Sequence, residues 1–122
     1  MKGHEIMLAF GSNTGDSKEK LGQALTQCRK LIMVCKMSPV LETEPVGIIS
    51  PPFHNQIVTG TTDMSLEELE ISIKQIERDL GRLREHGQTQ VSIDIDILKY
   101  DQQVLHDKDW RREYVKTLIS LL

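Results

Sequence analysis

Phe53–Gly81 (FHNQIVTGTTDMSLEELEISIKQIERDLG) changes its period halfway along. Its first ten residues are rich in β-branched side chains and read as a strand. Ser65, with Glu68 three residues later, spells a capping box, and Met64 with Leu69 supplies its apolar staple. Leu66, Leu69, Ile73, Ile76 and Leu80 then recur at helical spacing, and Gly81 stands where helix C-terminal glycines belong. Downstream, Gln90–Tyr100 alternates Val91, Ile93, Ile95 and Ile97 with polar residues, the period of a half-buried strand. Upstream, Glu5–Ser12 (EIMLAFGS) reads as a short buried strand. A helix is predicted over Ser17–Leu31, with Asp16 as its N-cap and Glu19 as the capping-box partner. Met33–Glu42 is apolar and extended, and Pro39 within it marks an edge strand or a bulge. Thr43–Pro52 holds three prolines and reads as a long irregular loop of the kind that often carries function. Asp109–Leu122 reads as a terminal helix. The order strand, helix, strand, strand, helix, strand specifies an α+β fold. It is a ferredoxin-like two-layer sandwich (βαββαβ core), helices on one face of an antiparallel sheet, with an additional C-terminal helix.

A chain of 122 residues suits one domain spanning 1–122, and 39% hydrophobic with 27% charged residues is the profile of a globular core rather than a disordered segment. The formal net charge of −3 argues against general affinity for nucleic acid or anionic membrane. Cys28 and Cys35 fit neither a redox pair nor a zinc knuckle, and both sit in apolar patterns, so they read as free buried thiols. No leader segment and no apolar run near the ~20 residues of a membrane span is visible, so the expected location is the cytoplasm. His54 and His86 read as solvent-exposed. Aromatics are scarce at 4%: Phe10, Phe53, Tyr100, Trp110 and Tyr114.

The strongest chemical signal is Ile93-Asp94-Ile95-Asp96-Ile97. Strand side chains alternate, so both carboxylates share one face, ~6.5–7 Å apart along the backbone. That face is either a solvated polar surface or a pair of hard oxygen ligands for Mg²⁺, completed by substrate phosphates. Arg82 and Arg84, just past Gly81, are suited to clamping phosphate oxygens, although charge at a helix C-terminus also explains them. Together with the two aspartates they favour a magnesium–nucleotide site. Phe53 and Asn55 lie two apart on one face. An aromatic plate beside an amide suits a flat, hydrogen-bonding heterocycle, and Tyr114 can supply a second plate.

These residues resemble a known family, the 6-hydroxymethyl-7,8-dihydropterin pyrophosphokinases of folate biosynthesis. The resemblance runs through Phe10-Gly11-Ser12-Asn13-Thr14-Gly15-Asp16, Glu42-Thr43-Glu44-Pro45-Val46-Gly47, Phe53-His54-Asn55, Ile76-Glu77 with Gly81-Arg82-Leu83-Arg84, and Ile93-Asp94-Ile95-Asp96-Ile97-Leu98. It implies a ferredoxin-like fold and transfer of diphosphate from ATP to the pterin hydroxymethyl group, with release of AMP. It assigns two Mg²⁺ ions to Asp94 and Asp96, phosphate charge to Arg82 and Arg84, and the nucleotide site to Glu77. Phe53 and Tyr114 would sandwich the pterin, Asn55 would read its polar edge, and Thr43 and Val46 would complete the pocket. His106 and Arg112 keep the family's spacing and would face the ATP phosphates. ATP and the pterin are the implied partners, with no nucleic acid, membrane or obligate protein partner. The sequence also departs from the family. Thr89-Gln90-Val91 stands where Gly-Pro-Arg is usual, the loop tryptophan is missing, Leu105 replaces a proline, and the pattern is expected to continue past Leu122. Three readings follow: an active pyrophosphokinase, an impaired relative that binds pterin or nucleotide without efficient transfer, and a ligand-free interaction module.

Overall fold

A computed structural model describes residues 3–44, 52–81 and 93–122. They form β1 (His4–Ser12), α1 (Ser17–Cys28), β2 (Met33–Met37), β3 (Leu41–Thr43), β4 (Phe53–Thr62), α2 (Leu66–Asp79), β5 (Asp94–Tyr100), β6 (Gln103–Val104), α3 (Asp107–Trp110) and α4 (Glu113–Ser120). Among these residues the strands make a six-stranded sheet in the order β2-β4-β1-β5-β6, with β3 also on β4. All the pairings are antiparallel. β1-α1-β2 brackets β4, and β4-α2-β5 brackets β1. These two split βαβ units are the ferredoxin-like arrangement that the sequence pattern specifies.

Alternation sorts the side chains into two cores. Ile6, Leu8 and Phe10 of β1, Val58 of β4, and Ile95 and Ile97 of β5 face α1 and α2, meeting Leu21, Ala24, Leu69 and Ile73. On the opposite face Ile57 and Leu98 pack against Val115 and Leu118 of α4, with Ala9 and Trp110 beside them. The pattern left the place of the C-terminal helix open; it covers this second face. β5 carries one extra residue, Leu98, where Met7 pairs with Lys99 but Leu8 pairs with Ile97. This bulge lets Ile97 and Tyr100, an odd number apart, both pack toward the helices.

Several boundaries differ from expectation, each for a local reason. Met33–Glu42 is two strands, not one. Pro39 has no N–H to give a ladder, and at the break Ser38 replaces it: its N–H donates to Ile57 O at 2.8 Å and its Oγ accepts from Ile57 N at 2.9 Å. β2 and β3 thus share one side of β4. α1 ends at Cys28 rather than Leu31, and Asp16 sits at its N-cap position without capping, because its Oδ1 accepts from Thr14 Oγ1 at 2.6 Å instead. The terminal segment is two helices broken at Arg111 and Arg112, with the Trp110 indole anchored to Leu105 O at 2.9 Å and Leu98 O at 3.2 Å. α2 agrees closely. Its capping box is formed in both directions, and Gly81 adopts φ 91°, the left-handed conformation that favours glycine at a helix end.

Cys28 is buried, which pushes its thiol up to about 12. Cys35 is exposed, against expectation. It lies on edge strand β2 where the pairing with β4 shifts register between Val34 and Lys36, so its apolar neighbours do not carry it inward.

Candidate active site

Register across β1 builds the site. Gly11 pairs with Asn55 of β4 on one side and Asp94 of β5 on the other; two residues along, Ala9 pairs with Ile57 and Asp96. Adjacent strands are ~4.8 Å apart, so the Asn55 and Asp94 backbones stand about 9–10 Å apart with β1 as the floor between them. Nothing larger than a methyl group rises from that floor. Gly11 lacks the positive φ that would require glycine, and glycine inside a strand costs roughly 0.5–1 kcal/mol relative to alanine. A Cβ here would lie 3.2 Å from Asn55 Oδ1. Gly60 makes a contrast, since its Cβ would strike the Met33 carbonyl oxygen at 2.3 Å, a purely structural reason. The space over Gly11 is bounded by a side chain of the candidate site, not by backbone.

Asn55 is buried, and its Nδ2 donates to Thr43 Oγ1 at 2.9 Å. Thr43 in turn pairs with Phe53 at the end of β3. β3 and β4 thus bring Thr43, Phe53 and Asn55 together. Tyr114, in the first turn of α4, is half-buried. Burial raises its phenol above the usual value, with Asp109, Asp96 and Asp94 adding to the shift and Arg112 opposing it, so its hydroxyl lies within electrostatic reach of the aspartate pair. Val46 lies outside the described residues.

Asp96 shows what the aspartate pair does to its own charge. Burial, and then the Asp94 carboxylate, raise its pKa to about 6; His106 opposes the shift while Asp109 and Glu77 reinforce it. His106 Nε2 stands 4.0 Å from Asp96 Oδ1, presented from a left-handed backbone with φ 52°. Arg112, in the break between α3 and α4, pairs through Nε with Asp109 Oδ1 at 3.2 Å. Glu77 is buried, and its Oε2 accepts from Ile95 N at 2.9 Å, so this carboxylate is also a strut between α2 and β5. Arg82 and Arg84 lie outside the described residues.

An open groove of about 740 Å³ runs along the outer edge of β5, lined by Glu77, Asp94, Asp96 and His106. Its size is that of a small-molecule site. Lys74 and Arg78 also line it and were not anticipated. The signal was available, because both follow Glu70 at the i+4 and i+8 spacing of one helix face. Gly11 was quoted as a motif residue without a role; a glycine inside a strand pattern marks a place of close approach.

The donor set fits Mg²⁺. Two hard carboxylates share one face; burial first, and the Asp94 carboxylate second, raise the Asp96 pKa, and a divalent cation would offset the second of these. Among the described residues no group of three or more His, Cys, Asp or Glu side chains gathers as a metal cage. Such a site suits an ion whose shell is completed by ligand oxygens. No helix among these residues is long and apolar enough to cross a membrane.

The "Folate synthesis bifunctional protein, mitochondrial" of Arabidopsis thaliana is 33% identical over 130 aligned residues, covering 98% of this chain and 24% of that protein. The chain thus spans about a quarter of the length of the plant relatives it matches. Two proteins named 2-amino-4-hydroxy-6-hydroxymethyldihydropteridine pyrophosphokinase are each 30% identical. That of Aquifex aeolicus matches over 84% of this chain and 65% of its own length, and that of Porphyromonas gingivalis W83 over 94% and 88%. A family model described as 7,8-dihydro-6-hydroxymethylpterin-pyrophosphokinase matches residues 7–121, and the chain belongs to that family.

Proposed function

We propose that this chain transfers diphosphate from ATP to the hydroxymethyl group of 6-hydroxymethyl-7,8-dihydropterin. The observation that carries the reading is the pair of rows across β1. An amide suited to a heterocycle and a carboxylate pair suited to a metal–phosphate group stand on one face of the sheet, on either side of a bare glycine. Asn55, held by Thr43, reads the pterin edge, and Phe53 and Tyr114 bound the ring, with Val46 as a further pocket residue. The nucleotide lies in the groove beside Glu77; Arg84, His106 and Arg112 are assigned to its phosphates and Arg82 to the transferred group.

In the reaction the pterin hydroxyl oxygen attacks the β-phosphorus of ATP. The bond from that phosphorus to the oxygen bridging the α- and β-phosphates breaks, AMP leaves with that oxygen, and the hydroxyl proton passes to solvent. Such transfer depends on positioning and charge neutralisation more than on covalent work by the protein. ATP and the two aspartates together bring about six negative charges, so the arginines keep a role after two Mg²⁺ have offset about four of them. When bound, the two ions supply that neutralisation and lower the cost of ionising the attacking hydroxyl. Asp94 and Asp96 hold them, His106 balances Asp96, and Asn55 fixes the ring so that its hydroxymethyl arm points across Gly11. Free Cys28 and Cys35 suit the reducing cytoplasm.

The test is AMP formation from ATP, Mg²⁺ and the pterin, with Asp94→Asn and Asp96→Asn proteins as controls. Turnover is expected to fall at least about 100-fold in either variant. A wild-type rate no higher than those controls overturns the proposal. Pterin and nucleotide binding without AMP would identify the impaired relative instead.

A further inference from the structure

The expectation that His54 is solvent-exposed fails: its side chain is only 15% exposed and both ring nitrogens are engaged. Nδ1 is hydrogen-bonded to Ser17 Oγ, and Nε2 stands 3.3 Å from Glu42 Oε1. A carboxylate only accepts, so in the neutral ring Nε2 donates to Glu42 and Nδ1 accepts the Ser17 hydroxyl proton. The Ser17–His54–Glu42 set looks like a hydrolytic triad, but its serine is 2% exposed in the first turn of α1, where no substrate can reach it. The chemistry is therefore structural in kind, and its location gives it a consequence.

His54 is flanked by Phe53 and Asn55, and Glu42 is followed by Thr43. Strand alternation puts His54 and Glu42 on the helix side of β3–β4, while Asn55 and Thr43 meet on the cleft side. Two rungs on opposite faces thus fasten the same short strand. β3 has only three residues and is cut off from β2 at Ser38–Val40, so few contacts set its register. We infer that His54 is a positioning residue for the pterin half of the site, tying β3 to the start of α1 so that Thr43 holds the Asn55 amide in place. This inference rests on the proposed function and adds to it a residue that never touches substrate.

The experiment is steady-state kinetics with a double-mutant cycle. His54→Leu is expected to raise KM for the pterin about fivefold, the scale of one hydrogen bond, and to leave KM for ATP and kcat within twofold. Thr43→Val should also raise the pterin KM, and the double variant should be no worse in pterin KM than the weaker single one, because both act through the same amide. His54→Gln, which keeps a donor, should restore part of the affinity. Glu42→Ala repeats the test from the exposed end of the rung should His54→Leu fail to fold. A wild-type protein without AMP formation or pterin binding sinks the proposed function. An active wild type whose His54→Leu or Glu42→Ala variant loses thermal stability but keeps its pterin KM sinks this inference, as do effects of His54→Leu and Thr43→Val that simply add.

Discussion

Asp96 keeps its proton to about pH 6 instead of the usual 3.8 because it is part-buried beside Asp94. Between those values the folded protein binds more protons than the unfolded chain. The stability of the metal-free protein therefore falls as pH rises from about 4 to about 6, and the penalty persists above that. Asp96→Asn should remove it. Urea denaturation at pH 7 is expected to show a gain on the order of 1 kcal/mol, discounted for a side chain one-third exposed, and the gain should vanish near pH 4. The variant that is more stable would thus be the one that loses turnover. Gly11 carries a second prediction. Its backbone is ordinary strand, so Gly11→Ala should keep or slightly raise the melting temperature. Its new Cβ crowds Asn55 Oδ1, and calorimetry should find pterin affinity about tenfold weaker. Gly22→Ala on α1, where a Cβ meets nothing within 4 Å, is the control and should leave pterin affinity unchanged.

The elements were legible in proportion to how far local chemistry decides them. α2 was read nearly to the residue, because a reciprocal box starts it and a left-handed glycine follows it. β4 was read end to end from its β-branched run. The rest yielded to contacts that no local pattern carries. Thr14 captures the Asp16 side chain, Ser38 fills in for a proline's missing N–H, and the indole of Trp110 finds two carbonyls from other turns of the chain. α4 is the element whose energetic role is clearest. Leu118 is fully buried under the sheet, so Leu118→Ala should cost about 2–5 kcal/mol in urea unfolding. Since α4 also presents Tyr114, pterin affinity should fall more than ATP affinity in the same variant.

At the scale of the molecule, motif residues scattered along the chain revealed most of the candidate site, but not why they meet. Asn55 and Asp94 become neighbours of one glycine only through the register of three strands. His54 and Cys35 were misjudged for a related reason: their surroundings are set by strands and helices distant in sequence. The position of β1 also decides the order of events when the protein is made. Ile6 has Gly60 for a partner on one side and Tyr100 on the other, so the innermost strand is synthesised before both of its partners and is among the last to be fully paired. Until β5 has left the ribosome, Leu8 and Phe10 lack half their sheet, and the nascent chain holds an adhesive apolar strand with an unpaired side. Contacts this remote make the last step of folding slower than in a helical bundle of equal size, and they make β1 the segment that a holding chaperone has most reason to cover.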